Sequence, residues 1–319
     1  MSNINFNLES TVGKFKLKAV SEFSQGVNFI WGRSGNGKTT LLNNLAGFIN
    51  PNVGEIKINN LCIFSSKKKI DLPPEKRKIS YVQQDEKLFP NMKVLENIEF
   101  AYKFLNNTQK KISPSDCIDL FDIKNLIDFY PTQLSGGQKQ KVALARALAR
   151  NGNVLMLDEP INSIDFTSSR KIFKTIEDLS KTLNLCVLYI THSIDEIFRT
   201  NNQILFVNNG LATEKQTKNN ILNFWDDENL INFTDDKKYS EKYFSSESIM
   251  ISKKNFDHQD LGFYFSGIIN NIVKTKEKSL LEIKSEKDYL VSLDNAIFNK
   301  LQLKNKDKVF CFVYKNLIL

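Results

Sequence analysis

A glycine-rich segment contains the first residues whose types and spacing could do chemistry. Residues 32–39 read G-R-S-G-N-G-K-T and fit the pattern G-x-x-x-x-G-K-[ST], between a predicted strand at 27–31 and a predicted helix at 39–48. Glycines let the backbone wrap around phosphate oxygens, and the helix start adds a partial positive charge. A plain glycine-rich turn before a helix is the alternative. The predicted phosphate-binding residues are Gly32, Arg33, Ser34, Gly35, Asn36, Gly37, Lys38, Thr39 and Thr40.

Two carboxylates follow an apolar strand further along the chain. Residues 154–157 are V-L-M-L, and Asp158 and Glu159 come directly after them. Ligand groups gather at the carboxyl ends of parallel strands, so we expect both carboxylates near Lys38 and Thr39. Asp158 and the Thr39 hydroxyl are then candidates for binding Mg²⁺, and Glu159 for orienting and deprotonating an attacking water. The alternative is an Asp-Glu helix cap after a buried strand.

A second candidate anion site precedes a predicted amphipathic helix at 138–150. The residues are Ser135, Gly136, Gly137 and Gln138, and a serine hydroxyl with successive glycine N–H groups can bind an anion at a helix start. A single nucleotide rarely needs two such sites from one chain. We therefore expect two chains to meet, each offering its second site to the other's nucleotide. The alternative is a plain capped helix.

Two more polar residues follow predicted strands. Gln84 lies at the end of a short strand, where its amide could reach Mg²⁺ or the attacking water, although a solvated loop is the alternative. His192 follows an apolar strand at 185–191, on the edge expected to carry Lys38 and Asp158. A contact to the γ-phosphate is the functional interpretation of His192, and a structural histidine is the other.

These residues need an α/β domain to position them. Alternating runs at 4–8 and 15–18 predict half-exposed antiparallel strands. The apolar strands at 154–157 and 185–190 predict a parallel sheet buried on both faces, with a helix at 168–181 between them. Alternation of strands and helices is typical of α/β folds.

The later chain has a different pattern. We expect a closing strand pair at 203–208 and 210–212, and then a polar connector with some helix. From about residue 262 short strands predict a small all-β domain. Its expected strands are 263–273, 280–284, 289–293 and 308–314.

Composition narrows the classes of protein. The chain has 319 residues, 41% hydrophobic and 25% charged, which suits two globular domains. Its formal net charge of +8 is spread along the chain, so nucleic-acid binding is not expected. No apolar run reaches the roughly 18 residues of a membrane span, and no secretory signal is expected. The four cysteines lack CxxC spacing, and two histidines exclude a histidine-rich metal site.

Together the motifs resemble the nucleotide-binding subunit of ATP-binding cassette (ABC) transporters, over roughly residues 1–215. The resemblance implies a P-loop cassette with a parallel core sheet, an antiparallel β subdomain and a helical subdomain. It implies ATP and Mg²⁺, with Gln84 as a Mg²⁺ ligand and Glu159, Gln84 and His192 as catalytic residues. The matching motifs are Walker A at 32–39, the Q-loop at Gln84, the signature at 134–138, Walker B at 154–159, the D-loop at Ser163, Ile164 and Asp165, and the switch at His192.

The same resemblance implies partners. Two chains would form a head-to-tail homodimer around two ATP molecules, with Ser135, Gly136, Gly137, Gln138 and Asp165 contributing to nucleotide binding. An integral membrane permease would dock near residues 85–91, and an extracytoplasmic substrate-binding protein would complete the complex. The chain would then lie peripherally on the cytoplasmic face of the cell membrane. Phe15 is the candidate for stacking on adenine, with a core phenylalanine as the alternative.

Three segments narrow the subfamily. Residues 71–82 and 88–98 look like importer ATPases with a C-terminal regulatory domain, and residues 191–197 most resemble the molybdate importers. The tail looks like a single unit of the small molybdate-binding β-barrel, an OB-like domain of the TOBE type. The expected domains are the cassette at 1–222, a connector at 223–258 and the β-barrel at 259–319.

These observations predict the ATP-hydrolysing subunit of a molybdate or tungstate importer. An importer of ferric iron, sulfate or thiamine is the close alternative. A soluble ABC ATPase acting in translation or DNA repair is the alternative from another class. Such proteins usually show two cassettes or a long coiled-coil insertion, whereas this sequence has one phosphate loop and no long heptad run at 50–130.

Overall fold

A computed structural model describes most of the chain, which divides into two compact units, Met1–Lys218 and Asn219–Leu319. The described residues are 2–161, 164, 166–191, 204–213, 215–216, 230–232, 243–245, 249–253, 262–274, 278–285 and 288–314.

The first unit contains two six-stranded sheets and five α-helices in its described part. Its strands are β1 (Ile4–Val12), β2 (Phe15–Phe23), β3 (Gly26–Trp31), β4 (Val53–Ile58), β5 (Leu61–Ser65), β6 (Ile70–Asp71), β7 (Ile79–Val82), β8 (Val154–Asp158), β9 (Cys186–Ile190), β10 (Ile204–Phe206), β11 (Leu211–Ala212) and β12 (Lys215–Gln216). Its helices are α1 (Lys38–Ala46), α2 (Val94–Tyr102), α3 (Pro114–Leu120), α4 (Gly136–Ala149) and α5 (Phe166–Thr182), with 3₁₀ turns at Pro74–Lys76, Asn107–Gln109, Lys124–Leu126 and Pro131–Gln133.

The antiparallel sheet follows from the alternating sequence at the start of the chain. Its strand order is β11-β2-β1-β4-β5-β6, and β1 pairs with both β2 and β4 in antiparallel register. Along most of β1 every second residue is buried, so Ile4, Phe6 and Leu8 face the core. One face of the sheet is therefore apolar and the other is solvated, as the alternation predicts.

The second sheet has a parallel centre that runs through the core. Its order is β12-β10-β3-β9-β8-β7. The five strands from β10 to β7 are parallel to one another, whereas β12 at the edge is antiparallel to β10. Every residue of β8 and β9 is buried, which explains their continuous apolar sequence. The expectation of an α/β domain with a parallel core sheet and an antiparallel sheet is confirmed.

Helices α2, α3 and α4 contact one another and form a separate helical group. Helix α1 instead packs in the main core between the two sheets, where Leu41, Leu42 and Leu45 are fully buried. It ends at Gly47, whose φ of +87° terminates the helix in a left-handed conformation.

The predicted strand pair at the end of this unit is wrong in its pairing. β10 joins the parallel sheet beside β3, whereas β11 joins the antiparallel sheet beside β2. Only an isolated bridge between Asn208 and Leu211 links the two segments. The turn between them, at Asn209 and Gly210, passes the chain from one sheet to the other.

The described part of the second unit is an antiparallel β structure with one helix. A five-stranded sheet has the order β15-β19-β16-β17-β18 around its own apolar core, and β13 pairs with β14. Its elements are β13 (Leu230–Asn232), β14 (Tyr243–Ser245), β15 (Met250–Ser252), β16 (Gly262–Lys274), β17 (Lys278–Lys284), β18 (Asp288–Asp294), α6 (Asn295–Leu301) and β19 (Lys308–Tyr314).

This sheet contains all four strands that the sequence predicts for the tail. Strand β15 also belongs to this sheet, since Met250, Ile251 and Ser252 pair with β19. Within the described residues the sheet is open, because β15 and β18 are its two edges. A closed, OB-like barrel stays a prediction.

Candidate nucleotide-binding site

The glycine-rich loop leads from β3 into α1, and two of its glycines leave no space for a side chain. A Cβ on Gly32 would lie 2.1 Å from the carbonyl oxygen of Val207. Gly37 has a φ of +102°, and a Cβ there would lie 2.6 Å from the Phe15 ring. Both positions therefore require glycine for steric reasons, in addition to the phosphate-binding pattern.

Lys38 places a buried ammonium group inside this loop. Its Nζ donates hydrogen bonds to the carbonyl oxygens of Gly32 at 2.6 Å and Arg33 at 3.1 Å. Burial lowers the pKa of Lys38, while the nearby carboxylates of Glu159 and Asp158 act in the opposite direction. The group is thus a desolvated cation, which binds a phosphate more strongly than an exposed lysine does.

Asp158 lies directly opposite Thr39, as expected if both residues bind the same Mg²⁺ ion. The Thr39 hydroxyl donates a hydrogen bond to Oδ2 of Asp158 at 2.8 Å, and the Tyr81 hydroxyl lies 3.5 Å from the same oxygen. Asp158 is only 2% exposed, and this burial raises its pKa, against the opposing effect of the Thr39 hydrogen bond. The site therefore contains a carboxylate that lacks solvation and gains from a bound cation.

The donor set fits Mg²⁺ bound together with a phosphate. Mg²⁺ takes oxygen ligands and usually keeps waters and substrate phosphates in its shell, so few protein ligands are needed. Thr39 and Asp158 supply two oxygens at hydrogen-bonding distance, and the described residues contain no cluster of three or more His, Cys, Asp or Glu side chains.

Glu159 and Gln84 meet beside this pair. Nε2 of Gln84 donates to Oε2 of Glu159 at 3.4 Å, and Gln84 is exposed. The backbone of Glu159 is left-handed, with a φ of +52°, and its N–H bonds the Ile190 carbonyl oxygen at 3.1 Å. A non-glycine residue in this region marks a strained backbone, here at the point where a carboxylate leaves the sheet.

The second predicted anion site is the start of α4. Ser135 is the N-cap, and its hydroxyl accepts a hydrogen bond from the Gln138 N–H at 3.3 Å. The Gln138 side chain in turn accepts from the Ser135 N–H at 2.9 Å, which completes a capping box. Ser135 and Gly136 are exposed. The helix therefore starts with an ordinary N-cap, and its first residues are accessible to a binding partner.

Three of the predicted residues fall outside the described part of the chain. They are Ser163, Asp165 and His192. Phe15 is described and lies beside the loop: its half-buried ring packs against the core of the first unit and approaches Gly37. The residues that the structure brings together are Lys38, Thr39, Gln84, Asp158 and Glu159.

Sequence reasoning missed the role of Arg77, which is fully buried behind the site. Its Nη1 donates to the carbonyl oxygens of Asn44 and Leu45 at 3.0 and 2.9 Å, at the C-terminal end of α1. Its Nη2 donates to Oδ1 of Asp71 at 2.8 Å. Burial lowers the pKa of Arg77, against the effect of Asp71. The arginine thereby fixes the end of the helix that Lys38 begins.

Taken together, the loop, the buried lysine and the carboxylates at the sheet edge define the class: a P-loop nucleotide-binding domain. Residues 22–162 match the family model described as ABC transporter. No helix in the described part of the chain is both long and apolar enough to cross a membrane.

The chain resembles ATP-binding proteins of molybdenum importers. It is 35% identical to the molybdenum import ATP-binding protein ModC of Paramagnetospirillum magneticum, over 65% of this chain and 57% of the relative. It is 36% identical to ModC of Haemophilus influenzae, over 66% and 59%, and 40% identical to ModC of Aliivibrio fischeri, over 59% and 50%. The chain therefore spans half to three fifths of these relatives' length.

Solved structures share the fold of the first unit. A bacterial ABC transporter cassette solved as a dimer is 24% identical, with a TM-score of 0.57, and the match covers 68% of this chain and 99% of that one. An ABC transporter cassette in its ADP conformation is 23% identical, with a TM-score of 0.58 and coverage of 70% and 95%.

Proposed function

We propose that this chain is the ATP-hydrolysing subunit of an ABC importer for molybdate or tungstate. The observation that carries the proposal is the meeting of Lys38, Thr39, Asp158, Glu159 and Gln84 at one end of the parallel sheet. The relatives' names support molybdate as the substrate class.

The residues divide the chemistry of ATP hydrolysis among them. The loop N–H groups and Lys38 would bind the phosphates. Thr39 and Asp158 would hold Mg²⁺, which would neutralise charge on the phosphate oxygens. Glu159 takes a proton from the attacking water, while Gln84, 3.4 Å from Glu159, orients that water or contacts the metal. His192 contacts the γ-phosphate in this proposal.

A homodimer completes each site. The start of α4 is exposed, and Ser135 to Gln138 would bind the γ-phosphate of the nucleotide held by the second chain. Asp165 would lie at the same interface. The solved cassette described as dimeric supports this arrangement.

An apolar groove beside the Gln84 loop supports the docking of a permease. The groove encloses about 260 Å³, and four aromatic rings line it, those of Phe48, Tyr81, Phe89 and Phe100. Phe48 is 55% exposed and stacks on Tyr81 with ring centroids 6.0 Å apart. A short amphipathic helix on a membrane partner fits such a groove, and the chain would then lie on the cytoplasmic face of the membrane.

The second unit has a separate role in this proposal. It is a regulatory-type β domain that would bind oxyanions or help the dimer to associate.

Replacement of Glu159 by glutamine tests the enzymatic part. Glu159→Gln removes the proton acceptor but keeps the size of the side chain, so we expect the turnover to fall by a factor on the order of 10² or more. ATP affinity, measured by calorimetry, should stay unchanged. Glu177→Gln, which removes a carboxylate paired with Lys181 on α5, is the matched control. Turnover by Glu159→Gln at the wild-type rate would contradict the assigned role.

A further inference from the structure

Arg146 connects the signature helix to the loop that follows Gln84. It lies on α4, where Nη1 donates to the carbonyl oxygen of Lys87 and Nη2 to that of Glu86, both at 2.8 Å. The centre of the guanidinium lies 5.3 Å from the centroid of the Phe89 ring. One half-buried side chain thus contacts three residues of this loop, Glu86, Lys87 and Phe89.

The loop backbone depends on such support. Glu86 and Lys87 have φ values of +51° and +46°, so two consecutive non-glycine residues are left-handed. This conformation is disfavoured for residues with a Cβ and persists only where the surroundings impose it. The planar fork of an arginine donates to the two carbonyl oxygens from two separate nitrogens in a fixed geometry, whereas a lysine has a single donor nitrogen. The position of Gln84, two residues before Glu86, therefore depends on Arg146.

The same helix reaches the second anion site. Arg146 follows Ser135 by 11 residues, about 16 Å along a rigid helix. In the proposed dimer Ser135 binds the nucleotide of the second chain, while Gln84 serves the nucleotide of its own chain. Movement of α4 at one nucleotide must then move the guanidinium that supports Gln84 at the other.

We propose that Arg146 is a positioning residue that couples the binding of one nucleotide at Ser135 to the placement of Gln84 at the other nucleotide. The inference rests on the proposed function, since it assumes that both ends act on ATP. Arg146 itself contacts neither the phosphates nor the attacking water, and acts only through the carbonyl oxygens of Glu86 and Lys87.

A double-mutant cycle of Arg146→Lys and Gln84→Ala tests this coupling through the ATPase turnover. Lysine keeps the charge but presents one nitrogen, so kcat should fall roughly tenfold while KM for ATP stays within about twofold. Because Arg146 acts through Gln84, the combined variant should turn over no more slowly than Gln84→Ala alone. If the combined variant instead loses turnover by the product of the two single-variant factors, the inference is wrong.

Arg150→Lys is the matched control. Arg150 caps the same helix and also bonds backbone carbonyl oxygens, those of Ile79 at 2.8 Å and Glu75 at 3.1 Å. It contacts neither Glu86 nor Lys87. We expect its effect to multiply with that of Gln84→Ala. If Arg150→Lys instead behaved like Arg146→Lys in the cycle, a general loss of packing would explain both, and the inference would be wrong.

Amide hydrogen exchange separates a failure of the inference from a failure of the proposed function. At a temperature where both proteins are folded, the amides of residues 85–89 should exchange faster in Arg146→Lys than in the wild type, and those of residues 32–39 should not. Unchanged exchange at 85–89 overturns the inference whatever the ATPase shows. A wild-type protein without ATPase activity contradicts the proposed function instead.

Discussion

Asp158 is a carboxyl group that the fold buries near the Lys38 ammonium, whose charge only partly offsets the effect of burial. Burial raises its pKa, and the folded protein therefore binds a proton at Asp158 more readily than the unfolded chain does. Above that raised pKa the ionised carboxylate destabilises the folded state. This destabilisation disappears as the pH falls through the pKa of Asp158 and the carboxyl takes up a proton. Binding of Mg²⁺ would offset the same penalty, which links the metal to the stability of the first unit.

Replacement of Asp158 by asparagine should stabilise the metal-free protein. At pH 7.5 in EDTA we expect Asp158→Asn to raise Tm by about 2–4 °C, which corresponds to about 1 kcal/mol in a unit of this size. The difference should shrink as the pH is lowered towards 4, because the wild-type carboxyl becomes neutral. Asp85→Asn, an exposed neighbour of Gln84, is the control.

Magnesium adds a second outcome to this experiment. Mg²⁺ with ATP should raise the Tm of the wild type but have little effect on Asp158→Asn. If the wild type is at least as stable as Asp158→Asn in EDTA at pH 7.5, burial of the ionised Asp158 carboxylate does not destabilise the folded protein, and the prediction is wrong.

At the scale of elements, α1 must be fixed at both ends for the loop to hold its shape. Its start carries Lys38 and its last carbonyl oxygens accept hydrogen bonds from Arg77. A cation at a helix C-terminus also interacts favourably with the helix dipole. The buried Arg77 therefore stabilises the C-terminal end of the helix that Lys38 begins.

Arg77→Met should be strongly destabilising. It removes the guanidinium that donates to the carbonyl oxygens of Asn44, Leu45 and Leu72, of which Asn44 keeps only the Gly47 N–H, so we expect a loss of roughly 3 kcal/mol in the free energy of unfolding. Urea denaturation followed by circular dichroism measures it. The control is Lys76→Met, an exposed neighbour that should change stability by less than about 0.5 kcal/mol. Equal stability of the two variants would contradict a stabilising role for Arg77.

The sequence predicts the strands and the phosphate loop well because both depend on local patterns. Alternation in β1, apolar runs in β8 and β9, and the fixed spacing of residues 32–39 all lie within a few residues. Arg146 could not be predicted in the same way, because its acceptors lie 59 and 60 residues away on the chain. Arg77 is similar: it bonds carbonyl oxygens 33 and 32 residues away.

The error at β10 and β11 has the same physical origin. Both segments read correctly as strands, but the sheet that each joins depends on partners far away, β3 and β2. Short strands separated by a two-residue turn normally form a hairpin, which favoured the wrong pairing. In the structure, pairing with β3 and β2 replaces the hairpin.

At the scale of the whole molecule, the first unit presents two surfaces beside its P-loop site. They are the exposed start of α4 and an aromatic groove beside the Gln84 loop. In the proposed function each surface would bind another chain: a second copy at the α4 start and a membrane protein in the groove. The energy source and the pore would thus belong to different subunits.

ATP-driven uptake of molybdate tests the central claim most directly. The protein is copurified with its membrane partner, reconstituted into vesicles together with the binding protein, and assayed with labelled molybdate. We predict uptake that requires ATP and Mg²⁺ and is lost when Glu159→Gln replaces the wild-type chain. A reconstituted complex that hydrolyses ATP but takes up sulfate, iron or thiamine and no molybdate or tungstate would contradict the assigned substrate, and copurification with ribosomes or DNA in place of a permease would contradict the importer itself.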